Sequence, residues 1–118
     1  MAKYKIVYLK DDFFELAHLH PNIVKILYLK QNHIYNTKQV ELLFSPIQKE
    51  KNMLLDMMNE REDYTYFHGI HQLLNPITNE LIQIQFNEYD VEVEENESKH
   101  IIFDIFKGFS QNFFMIVL

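Results

Sequence analysis

Cysteine is absent from these 118 residues. That excludes a disulfide framework, a thiolate nucleophile and any zinc site built on sulfur. Glycine occurs only twice, at Gly69 and Gly108, so a glycine-rich phosphate loop cannot be assembled. No apolar run reaches the ~18–20 residues of a membrane-spanning helix, and "MAKYKIVYLKDD" lacks the apolar core of a signal peptide. These absences lead us to expect a soluble, cytoplasmic protein that does not associate with membranes. Positive charge is also scarce. The net charge is −6, and the lysines are scattered rather than clustered. Direct contact with nucleic acid needs clustered cations, so none is expected. A protein partner with a basic or mixed surface suits this charge.

What is present is apolar and aromatic. Hydrophobic residues make up 47% of the chain and aromatic ones 14%, which is the composition of a globular protein. The length suits one core, and we expect a single domain over 1–118. "KYKIVYL" (3–9) is read as a strand. Asp12 is read as a helix cap with Glu15 as its capping-box partner, and Phe13, Leu16, Ala17 and His20 as the core-facing stripe of that helix. Pro21 should end it and open a second, buried segment, "PNIVKILYLK". Thr37 should cap a helix over "KQVELLF", with Val40, Leu43 and Phe44 on one face and Pro46 ending it. "QKEKNMLLDMMNER" gives a further helix with Leu54, Met57 and Met58 inward. "DYTYFHGI" is read as one strand. "ELIQIQF" and "DVEVEE" should form a hairpin through "NEY", with Ile82, Ile84, Phe86, Val91 and Val93 on the buried face. "SKHIIFDIFKG" is helical, with Ser98 at its start, and "NFFMIVL" is a buried strand. The order β-α-α-α-α-(β)-β-β-α-β describes an α/β (α+β) domain: a mixed sheet with packed helices, and the first and last strands at its centre.

No constellation in the sequence points to catalysis, a metal or another cofactor. Six histidines are present, but His68 and His71 diverge if both lie on one strand, as do His18 and His20 on a helix. They are read as surface or satisfied interior residues, and no metal ligand set is assigned. The acids Asp90, Glu92, Glu94, Glu95 and Glu97 alternate with Val91 and Val93 and are read as the solvent face of an edge strand. Ser45, Ser98 and Ser110 match no nucleophile motif. Met53, Met57 and Met58 are read as helix packing. No small-molecule substrate is implied.

The adjacent pair Phe13–Phe14 is more informative. Successive helical residues diverge by about 100°. If Phe13 enters the core, Phe14 lies on the flank, with His18 one turn on and Asp11 just before the helix. These three make a small patch of an aromatic ring, an imidazole and an acid. Gln39, in the first turn after Thr37, should be exposed. A partner-binding patch and a wide core stripe both fit this pattern.

Three stretches resemble the sporulation inhibitor of replication (SirA) family of low-GC Gram-positive bacteria: "YLKDDFFELAHLHPNIVKILYLK", "KQVELLFSPI" and "IIFDIFKGFSQNFFMIVL". The resemblance implies a regulator that binds domain I of the initiator DnaA and restrains replication initiation, by occupying a surface that assembly factors would use. The family's contact positions look like Phe14, His18 and Gln39; His18 stands where the family has Tyr. The expected role is therefore that of a binder and not an enzyme. An inhibitor of another replication component is the alternative. A small hydrolase using His68 or His71 with the acidic run is a more distant one.

Overall fold

A computed structural model describes residues 2–29, 42–74, 77, 80–95 and 100–118. Among these residues seven strands form one sheet. β1 (Ala2–Leu9) is followed by α1 (Asp11–Leu19) and α2 (Pro21–Leu29), then β2 (Phe44–Ser45) and α3 (Gln48–Asn59). Four strands come next: β3 (Tyr64–Phe67), β4 (Ile70–Leu74), β5 (Leu81–Phe86) and β6 (Asp90–Glu95). α4 (Ile101–Phe109) and β7 (Phe113–Val117) complete the chain. The α+β class expected from the sequence is the class observed.

The sheet itself differs from the expectation in two ways. Every described pairing is antiparallel rather than mixed. Tight turns join β3 to β4 and β5 to β6, and such turns can only join antiparallel neighbours. β1 is central, paired with β6 from Ala2 to Val7 and with β7 from Tyr4 to Tyr8. β7 is not central: among the described residues it pairs with β1 alone. It is nevertheless apolar throughout because helices cover both of its faces. Phe113 and Met115 enter one cluster, and Phe114 and Ile116 the other.

Those clusters lie on opposite sides of the sheet. On one, Tyr4, Ile6, Ile84, Val91, Val93 and Phe113 pack beneath Leu54 and Met58 of α3 and Ile102 and Phe106 of α4. On the other, Val7, Leu9, Phe44 and Ile116 pack beneath Phe13 and Ala17 of α1 and Val24 and Tyr28 of α2. Fully burying each large apolar side chain contributes about 1.5–3 kcal/mol. The β5–β6 hairpin forms as expected, with Ile84, Val91 and Val93 buried. Its other face is amide and carboxylate, with Gln83 Nε2 donating to Gln72 Oε1 at 3.3 Å.

Several local expectations are corrected. α1 begins at Asp11, with extended Lys10 as its cap residue and no side-chain cap. The Lys10 amide is held by Leu43 O at 2.9 Å as the chain leaves β1, so the helix starts before Asp12 can cap it. Asp11 and Asp12 sit in the first turn, where the helix dipole favours acids. The inward residues of α1 are Phe13 and Ala17; Leu16 and His20 are exposed. α2 starts at Pro21 as expected, yet it buries Val24 and Tyr28 and exposes Ile23 and Ile26. Met57 likewise faces outward, while Leu54 and Met58 face in.

Phe44 lies in β2 and not on a helix, pairing with Leu9. "DYTYFHGI" is two strands and a turn: His68 and Gly69 both adopt positive φ, 50° and 80°, the two-residue geometry that matches strand twist. β6 is interior to the sheet, so its acids do not line an edge. Asp90 and Glu95 are buried; Glu92 and Glu94 occupy the open face. Thr37, Gln39, Val40, Glu97 and Ser98 lie outside the described residues.

Candidate functional site

The chain turns sharply from β1 into α1, and one buried amide fixes that turn. Asn112, the residue before β7, donates from Nδ2 to Leu9 O at 2.9 Å and to Asp11 Oδ1 at 2.7 Å. Its own backbone amide is held by Ser110 Oγ at 3.2 Å. Asp11 is therefore a bracket between the start of α1 and the start of β7, in addition to being an exposed acid. A polar hollow of about 340 Å³, lined by Tyr8, Lys10, Asp11, Asp12 and Ser45, adjoins it.

That bracket places one flank of α1 over β7. Phe13 points inward and meets Phe44 edge-on, with ring centroids 5.9 Å apart. Phe14, turned about 100° away, is half-buried and packs at the margin of the same cluster. The His18 ring lies 4.3 Å from the Phe14 ring and 5.8 Å from that of Phe114. The imidazole Nδ1 is 2.8 Å from Phe14 O. Each such aromatic contact contributes about 0.5–1.5 kcal/mol beyond area burial. The rings thus form a preorganised surface cluster rather than three loose side chains.

Of the residues singled out in the sequence, Phe14 and His18 are brought together and Asp11 braces the turn that precedes them. Gln39 lies outside the described residues. Phe114 and Asn112 were missed. The signal for Phe114 was in plain view: adjacent residues of a strand face opposite sides, so the second Phe–Phe pair had to split between two surfaces as the first one does.

Among the described residues, His68 and His71 are not brought together with Glu92 or Glu94. His68 is exposed on the β3–β4 turn. His71 faces the helix side of the sheet, 2.6 Å from the Tyr64 hydroxyl and 5.1 Å from the Phe86 ring. Glu92 and Glu94 lie on the opposite face, where a hollow of about 160 Å³ contains neither histidine. Asp90 is engaged within the fold. Tyr28 Oη donates to it, Asn87 Nδ2 donates at 2.7 Å, and Lys5 Nζ lies 3.7 Å away. Among the described residues no three His, Asp or Glu side chains group as metal ligands.

Compared with known proteins, the chain matches no family model and no curated relative.

Proposed function

We propose that this protein is a negative regulator of replication initiation that acts by binding domain I of DnaA through the outer flank of α1. The observation that carries the reading is the Phe14–His18–Phe114 cluster. Two of the three positions that the resemblance implies for partner contact stand ring to ring on one helix, 4.3 Å apart. A half-buried aromatic braced from beneath loses little conformational entropy on binding, which is how anchors at small interfaces work. The action is steric: domain I, once covered, is closed to the factors that assemble on it. The expected setting is the cytoplasm, and no helix among the described residues is long and apolar enough to cross a membrane.

The test is a calorimetric titration of the chain against DnaA domain I from the same organism, repeated with Phe14→Ala and His18→Ala. The parent should bind. Phe14→Ala should weaken binding by roughly 2 kcal/mol or more, the scale of a hot spot, and His18→Ala by less. No binding by the parent, or unchanged binding by a folded Phe14→Ala variant, would overturn the reading.

A further inference from the structure

The hydrogen bond of His18 fixes which chemistry its ring offers. Nδ1 lies 2.8 Å from Phe14 O. A carbonyl oxygen only accepts, so Nδ1 must carry the proton and donate it. In the neutral ring Nε2 is then a bare acceptor. His18 is exposed, and among the described residues nothing bonds to Nε2. The acceptor is flanked by two further rings, Phe14 on the helix and Phe114 on β7.

The charges on α1 itself are acidic. α1 carries Asp11, Asp12 and Glu15 and no lysine or arginine, in a chain of net charge −6. An aromatic face and an acceptor on an acidic helix together select a cation that donates hydrogen bonds. A guanidinium fits better than an ammonium, because its flat face stacks on a ring while its N–H groups donate in the plane.

We propose that the Phe14–His18–Phe114 cluster receives an arginine side chain of the protein partner, stacked on the rings and donating to His18 Nε2. The proposal deepens the binding surface described above and, in naming that surface's partner group, rests on it.

Two measurements test this. In the free protein, nitrogen NMR should show the Nδ1–H tautomer of His18. Titration with N-acetyl-arginine amide should shift Phe14, His18 and Phe114 more than N-acetyl-lysine amide does, and His18→Phe, which keeps a ring and removes the acceptor, should abolish the difference. An Nε2–H tautomer, no arginine response, or the same response in His18→Phe overturns the proposal. With DnaA domain I, His18→Phe should bind roughly tenfold more weakly than the parent, the scale of one charge-assisted hydrogen bond. Equal affinity of the two also overturns it. If domain I fails to bind the parent while the arginine amide still perturbs the cluster, the arginine subsite stands and the assignment of DnaA as partner falls.

Discussion

Tyr4 and Glu95, 91 positions apart in the sequence, meet at the N-terminus of α4 and cap it from the sheet. The phenol donates to Glu95 Oε2 at 3.3 Å and accepts from the Phe103 amide at 3.3 Å, while Glu95 Oε1 accepts from the Ile102 amide at 3.4 Å. The helix has no side-chain cap of its own, so these strand residues satisfy donors that the helix leaves open. Removing the hydroxyl with Tyr4→Phe leaves the part-buried Phe103 amide without its acceptor. The expected cost is about 1–3 kcal/mol, read as a shift of the urea midpoint at constant slope. A shift worth under about 0.5 kcal/mol, the range of an ordinary surface change, would show that the hydroxyl does not cap the helix.

Burial, partly offset by these hydrogen bonds, raises the Glu95 carboxyl above its ordinary value of 4.5. The folded protein therefore holds a proton in a pH window where the unfolded chain has lost it. Stability from this group is fully present below pH 4.5 and declines as pH rises through the raised folded value. Glu95→Gln keeps an acceptor for Ile102 and cannot ionise. Its stability relative to the parent should increase as pH rises through that window, measured by urea denaturation from pH 4 to pH 7. A difference that stays constant across the series would contradict this.

His71 acts in the opposite sense. Burial, and then the charge of Lys51, lowers its pKa below the ordinary 6.5. The unfolded chain takes up the proton first, so the contribution is intact above pH 6.5 and is lost as pH falls through the folded value. Lys51→Gln should move the His71 titration, followed by its ring proton shifts, back toward 6.5. A midpoint unmoved by that substitution would leave burial as the whole cause.

Much of this fold is legible where pattern is local. The alternation of Ile82, Ile84 and Phe86, the brief "NEY" connection and the Pro21 joint between helices each follow from a few neighbouring residues. What failed depends on neighbours distant in sequence. The acids of β6 announce their alternation, but not that β1 lies alongside and buries Asp90 beneath Tyr28. Leu16 fits a helical stripe as well as Phe14 does; only the position of β7, which brings Phe114 beneath one flank of α1, decides which of them is covered. The β3–β4 turn escaped because His-Gly is not one of the Asn-Gly or Asp-Gly pairs that signal a two-residue hairpin turn, though both residues take positive φ. In the site, Phe14 and His18 were recoverable from helix spacing, whereas Asn112 was not, since its role is to join ends of the chain 101 positions apart.

The two phenylalanines of α1 should separate by experiment. Phe13 is 3% exposed at the centre of its cluster, and Phe13→Ala should cost about 3–5 kcal/mol. Phe14 is half-buried at the margin, and Phe14→Ala should cost roughly 1–2 kcal/mol while leaving the cooperativity of unfolding unchanged. Equal losses in a denaturant melt would place both rings in the core and remove the basis for an anchor on this flank.

The two glycines make the sharpest comparison, because the same substitution should have opposite signs. A Cβ built at either Gly69 or Gly108 meets nothing within 4 Å, so packing is irrelevant and only the backbone decides. Gly69 sits at φ +80 in the β3–β4 turn, a conformation that side chains disfavour by about 1 kcal/mol or more. Gly69→Ala should destabilise by about that amount. Gly108 lies in the last turn of α4, where alanine is favoured over glycine by roughly 0.5–1 kcal/mol. Gly108→Ala should therefore stabilise, by less than the full interior value because the position is next to the helix end. Urea melts of both variants against the parent provide the measurement. If both substitutions destabilise, α4 does not extend through Gly108 in solution; if both stabilise, the His68–Gly69 turn does not hold its left-handed geometry.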